Sequence, residues 1–134
     1  YFTMSRKTTK IIYWIATLLI AAFILPGLFY MDSELAIEGM NHVGLTNAVR
    51  LQQVVGYGAP LAILAILLLP KPRNRIKEWA YAGLAFIYIG AFWAHVQLGD
   101  TLAEIAMPLV TLVVLMVSYF MWHKLISGKT VEAK

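Results

Sequence analysis

Four long apolar stretches dominate the chain: Ile11 to Phe29, Val54 to Leu69, Trp79 to Leu98 and Leu102 to Trp122. Charged residues gather between them and at the two ends. None of the stretches alternates apolar and polar residues with a period of two, which argues against the strands of a membrane barrel. A helix crossing a bilayer needs about 20 residues, and a helix pairs its own backbone groups where no water is present. The pattern therefore predicts membrane-spanning helices. The second stretch is short, so its helix is expected to begin upstream, near Asn47 or Arg50. The predicted spans are about 11–30, 50–70, 78–98 and 102–123, with an outer loop over 31–49. Asp32 and Ser33 can cap a short interfacial helix in that loop.

Composition points the same way. Hydrophobic residues make up 60% and charged residues 13% of the 134-residue chain, against about 45–50% and about 25% in a soluble domain. A chain this small has too little interior to hide so much apolar surface from water. The expected fold is all-α: a single integral membrane domain, an antiparallel four-helix bundle embedded in the lipid bilayer. Tyr1-Phe2-Thr3 read as added residues ahead of a native start at Met4. The first apolar run is too long for a signal-peptide core and lacks a small-residue cleavage site. The absence of cysteine excludes a disulfide framework and any thiol redox pair.

The basic residues then set an orientation. Arg6, Lys7, Lys10, Lys71, Arg73, Arg75, Lys77, Lys124, Lys129 and Lys134 all fall on one side of a four-span arrangement, and Arg50 alone falls on the other. The positive-inside rule places both termini in the cytoplasm. Five of the seven acidic residues, Asp32, Glu34, Glu38, Asp100 and Glu104, fall outside. The net charge of +4 is thus a topology signal, and no nucleic-acid partner is expected. Trp14, Trp79 and Trp122 sit near the cytoplasmic span ends, as an interfacial aromatic belt would.

Polar residues concentrate in the outer half. Arg50, Gln52 and Gln53 open the second span, His95 and Gln97 close the third, and Asp100 and Glu104 stand at the turn into the fourth. Asn41, His42 and Asn47 lie in the outer loop. Polar groups at membrane depth usually face protein or a water-filled cavity. Pro26, Pro60 and Pro108 each remove a helix hydrogen bond and favour a kink. Together these features predict a cavity opening outward, with better packing alone as the simpler reading of the kinks.

The third span carries two stripes. Ala80, Gly83, Ile87, Gly90 and Ala94 form a mostly small face, suited either to close packing within the chain or to a homo-oligomer. Glu78, Tyr81, Ala85, Tyr88, Phe92 and His95 form a second face, a series of titratable and hydroxyl groups that could line a pocket or guide a proton. Histidine is the side chain suited to proton transfer near neutral pH, and Asp100 or Glu104 could orient His95 for acid–base work. A histidine at a helix C-terminus is also a common cap. Arg50 either pairs with Asp100, Glu104 or Glu38, or holds an anionic or carbonyl group of a ligand. Metal chemistry would draw on His42, His95, Asp100 and Glu104, but no compact ligand motif is present and a spacing of five is awkward on one helix. Haem would need His42 to face His95. Neither metal nor haem is expected.

One segment is recognisable. Arg75-Ile76-Lys77-Glu78-Trp79-Ala80-Tyr81-Ala82-Gly83, together with Gly90-Ala91-Phe92-Trp93-Ala94-His95 and the closing Gly99-Asp100, resembles the DoxX-like family. His42-Val43-Gly44-Leu45 is similar to the family's His-Leu-Gly-Tyr-Pro segment, with Leu45-Thr46 where the tyrosine and proline usually stand. The resemblance implies a four-helix protein of the bacterial inner membrane. It carries Lys77, Glu78, Trp79, Tyr81, Gly83, His95 and Asp100 as motif positions. The family name comes from a subunit linked to a quinone-reducing thiosulfate oxidoreductase. Three functions are compatible with these residues. The first is a subunit that holds a lipophilic molecule, quinone-like or isoprenoid, for a redox partner protein, with Arg50, Gln52, Gln53, Tyr88, His42 and Gln97 around its polar head. The second is a small enzyme that isomerises or cyclises a lipophilic substrate, with His95, Asp100 and Glu104 as acid–base groups. The third is a structural or assembly protein without a ligand.

Overall fold

The computed structural model describes residues 4–30, 34–43, 49–69 and 75–127, with side chains described throughout except at residues 30, 36 and 49–55. Its elements are helices: α1 Arg6–Ile24, α2 Gly27–Tyr30, α3 Glu34–His42, α4 Val49–Leu68, α5 Arg75–Leu98 and α6 Leu102–Ser127. No strand occurs among the described residues.

Local chemistry sets the helix ends. Ser5 is extended, and its side chain accepts the Thr8 N–H at 3.1 Å. That cap starts α1 before the apolar run begins, because capping satisfies otherwise orphaned N–H groups. At the other end Leu25 and Pro26 form a turn, and the chain resumes as α2. Proline has no N–H to continue the ladder, so the helix breaks there. Pro60 and Pro108 lie inside α4 and α6 and are buried. α5 begins ahead of its apolar run, and α6 continues through His123 and Lys124 to Ser127.

Arg6–Phe29, Arg75–Leu98 and Leu102–Ser127 are each long and apolar enough to cross a membrane, while the apolar stretch Gly56–Leu68 of α4 is shorter. Their outward faces are apolar too: Leu19 is 59% exposed, Phe86 75% and Val110 61%. A helix apolar on every side is stable in lipid rather than in water. α1 packs on α6 and α4, and α5 packs on the same two helices. The starts of α1 and α5 meet the ends of α4 and α6 around one cavity, so packed neighbours run antiparallel. Ile20, Ile63, Ile66, Leu84 and Leu115 fill the space between them and are almost fully buried.

A polar relay ties three helices together inside this core. Thr17 Oγ1 donates to the Tyr13 carbonyl at 2.7 Å, so it can only accept from Ser118 Oγ, 2.7 Å away. Ser118 Oγ in turn accepts from the Tyr81 hydroxyl at 2.7 Å. Every hydroxyl proton has a destination, which is what makes a buried polar group tolerable. Tyr81 also stacks on Trp122 at 5.6 Å and meets Tyr119 edge-on at 5.3 Å.

One sequence expectation changes here. Trp122 is 3% exposed and belongs to the core, not to a belt. Trp14 and Trp79 do face outward, at 40% and 81% exposure. The small stripe of α5 is divided: Ala80 is 8% exposed and packs in the core, Ile87 and Ala94 are half-buried, and Gly83 and Gly90 are exposed, where a Cβ would meet nothing within 4 Å. The face bearing Tyr81, Leu84 and Tyr88 turns inward instead, because burying large side chains removes more apolar area.

Candidate functional site

The polar cluster opposite the basic end is built by one turn. α5 closes on Gly99, whose φ is +68°. The Gly99 N–H bonds the Val96 carbonyl and the Asp100 N–H bonds the His95 carbonyl, both at 3.2 Å. This paired closure needs a residue at positive φ, which glycine adopts without strain. It folds Asp100 back over the last turn of α5, so that its carboxylate reaches His95. A spacing that is awkward on a continuous helix becomes a direct contact across this reversal. Thr101 then starts α6: its N–H bonds Glu104 Oε2 at 2.9 Å, and the Glu104 N–H returns to Thr101 Oγ1 at 3.4 Å. This is a reciprocal capping box. Glu104 is therefore held by its own helix start, and His95 is oriented by Asp100.

Asp100 gathers two imidazoles. His95 Nδ1 lies 2.6 Å from Asp100 Oδ2. His42, brought over by α3, places Nε2 at 3.0 and 2.9 Å from the two carboxylate oxygens. The imidazole rings lie 6.1 Å apart. The side chains of Asp100, His95 and His42 are 10%, 21% and 49% exposed. An ionised carboxylate only accepts, so the facing nitrogen of each ring carries its proton. No hydrogen bond to His42 Nδ1 or His95 Nε2 occurs among the described residues, and either nitrogen can exchange protons with a ligand or water. The hydrogen bond to Asp100, and then its charge, raise the His42 pKa above the ordinary 6.5, with Glu104 adding a smaller pull. The bonds from His95 and then His42 hold Asp100 below the usual carboxylate value of 3.8. The ligating atoms of the three residues lie within 4.8 Å of one another. One cation could bridge them, in competition with the hydrogen bonds that Asp100 already accepts.

The other candidate residues are placed differently. Gln97 is exposed. Tyr88 is 8% exposed within the core, and no hydrogen bond to its hydroxyl occurs among the described residues. Arg50, Gln52 and Gln53 lie in the first turns of α4, and their side chains are outside the described residues. Asp32, Ser33 and Asn47 are likewise outside them. The polar stripe of α5 does not act as one line. Glu78 bonds the Tyr119 hydroxyl at 3.1 Å and lies 2.7 Å from His123 Nε2. Tyr81 bonds Ser118, and His95 bonds Asp100. No hydrogen bond among the described residues joins one member of the stripe to the next.

The sequence reading missed the Glu78–Tyr119–His123 group and the burial of Lys77, which is 7% exposed. Tyr119 and His123 are four apart on α6 and so share a helix face. That spacing was a usable signal; its pairing with Glu78 of α5 was not.

The DoxX-like family model matches residues 14–118. The chain belongs to the DoxX-like family. No curated protein and no solved structure matches it. The matched part of this DoxX-like chain contains His42, His95, Asp100 and the whole Thr17–Ser118–Tyr81 relay. With its long apolar helices, the chain is a membrane protein of the DoxX-like family.

Proposed function

We propose that this DoxX-like protein crosses the bacterial inner membrane four times, through α1, α4, α5 and α6, with both termini in the cytoplasm. In this reading the His42–Asp100–His95 cluster holds the polar head of a lipophilic molecule at the outer end, as part of a membrane redox system. The ligand is quinone-like or isoprenoid. One observation carries the proposal: a single carboxylate fixes two imidazoles, and the second nitrogen of each ring has no hydrogen-bond partner among the described residues. The basic residues Arg6, Lys10 and Lys77, gathered around the opposite end, support the orientation.

The chemistry of the reading is proton handling. A quinone that accepts two electrons must also take up two protons. A partner redox protein supplies the electrons, and the imidazoles supply or relay the protons at the membrane surface. Asp100 stabilises each imidazolium as it forms.

The test is a titration of a short-chain quinone into protein in lipid nanodiscs, followed by tryptophan fluorescence and by calorimetry in two buffers of different ionisation enthalpy. The expected result is saturable binding with net proton exchange, weakened about tenfold or more in His95→Ala, the loss of one charge-assisted contact. Equal binding to His95→Ala and wild type, with no proton exchange, would reject the proposal.

A further inference from the structure

The second site lies at the other end of the bundle and is independent of the outer cluster. A cavity of about 710 Å³ opens where α1 and α5 begin and α4 and α6 end. Three cationic side chains line it: Arg6, Lys10 and Lys77. No carboxylate among the described residues does. Glu78, beside Lys77 in the chain, is turned to Tyr119 and His123. Lys77 is 7% exposed, with its ammonium 5.9 Å above the Trp122 ring. It makes no ion pair or hydrogen bond among the described residues.

A cation taken out of water without a partner is costly, and aromatic contact returns only part of the lost hydration. Three like charges around one cavity focus a positive potential into it. The cavity is therefore organised to receive an anion. Its remaining walls decide what kind. Ile66 and Leu68 of α4 face Leu125 and Ile126 of α6 across the same space, so half of the lining is aliphatic. Trp14, 40% exposed, stands at its side, as amphipathic aromatics do at the level of lipid headgroups. A soluble anion has no use for the aliphatic half.

We propose that this cavity binds the phosphate group of an anionic lipid, with Lys77, Lys10 and Arg6 around the phosphate and an acyl chain against the α4 and α6 walls. Basic pockets between membrane helices on the cytoplasmic side suit such headgroups. Here the buried lysine makes the site specific, because a general surface attraction would not need it.

The test uses the full chain in mild detergent. Short-chain phosphatidylglycerol, phosphatidylcholine and inorganic phosphate are titrated separately, read by tryptophan fluorescence and by the shift in melting temperature. The expected result is phosphatidylglycerol binding about tenfold tighter than phosphatidylcholine, with a ratio near one in Lys77→Met. Lys77→Met should also melt higher than wild type without lipid, since it removes a buried charge that has no ion-pair partner among the described residues. Lys10→Gln is the second variant, expected to lower the ratio if Lys77→Met fails to fold. Arg75→Gln removes an exposed charge that does not line the cavity, and is expected to leave the ratio unchanged. Saturation by millimolar inorganic phosphate, without a lipid preference, would overturn the lipid assignment in favour of a soluble phosphate. A ratio that falls equally in Arg75→Gln, or persists in both lysine variants, would overturn the site.

Discussion

Tyr81→Ala is expected to lower stability by about 3–5 kcal/mol, the range for removing a buried aromatic ring. Tyr81 is 2% exposed. Its ring stacks on Trp122 and touches Tyr119, while its hydroxyl ends the relay through Ser118 to Thr17. The substitution opens a cavity where α1, α5 and α6 meet and leaves the Ser118 oxygen without its donor. Tyr81→Phe separates the two effects. It keeps the ring and removes only the hydroxyl, so its expected cost is about 1 kcal/mol, in line with interhelical hydrogen bonds in membranes. Reversible unfolding in mixed detergent measures both. Costs of similar size for the two variants would mean that the hydroxyl relay, and not ring packing, holds the three helices.

Asp100→Asn is expected to release α3. The helix Glu34–His42 reaches the end of the bundle through the His42 contact with Asp100. Two ionisations define when that contact is strong. The His42 pKa is raised above 6.5 in the folded protein, so its contribution is complete below 6.5 and fades as pH rises through the raised value. The Asp100 pKa is lowered below 3.8, so its contribution is complete above 3.8 and fades as pH falls through the lowered value. Docking of α3 is therefore tightest between these two ordinary values and weakens on the alkaline side first in any physiological range. His95 and Glu104 are the other titratable groups facing the pair, and Glu104 reinforces the positive form of His42. Amide exchange over residues 34–42, expressed as protection factors, reads the effect. Wild type should lose protection between pH 6 and pH 9, and Asp100→Asn should be poorly protected throughout. Its His42 should titrate at a lower pH than in the wild type, since the largest causes of the upward shift are removed. Equal protection at both pH values in wild type would show that α3 is held by other contacts.

The helical content was legible because apolar runs bounded by charge have few alternatives. The ends were less so, since α1 starts on the Ser5 cap and α6 runs on through His123 and Lys124. Neither feature is a matter of hydropathy. Pro26 was readable as a kink in the first span, because a missing N–H weakens any helix; that the helix ends at Ile24 and restarts at Gly27 was not. The rotation of each helix was not readable. In a membrane both faces of a span are apolar, so the glycine stripe of α5 and the inward aromatic stripe look equally fit for the core. The same ambiguity hid the burial of Trp122. At the end opposite Arg6, Lys10 and Lys77, His42, His95 and Asp100 stood out as polar groups beside apolar spans. Their geometry depended on Gly99, whose positive φ reverses the chain, and on α3 returning His42 from 58 residues away. The first was present in the sequence as Gly99-Asp100. The second has no local signature.

The proposed role of the His42–Asp100–His95 cluster is to hold a lipophilic ligand. The most direct measurement is mass spectrometry of organic extracts from gently purified wild-type and Asp100→Asn protein, normalised to protein and to bulk phospholipid. The account predicts a near-stoichiometric quinone or isoprenoid with the wild type, depleted about tenfold or more from Asp100→Asn, the consequence of losing the group that fixes both imidazoles. Bulk phospholipid alone, identical in the two extracts, would contradict it and leave His42, Asp100 and His95 as a clasp that fastens α3 to the bundle.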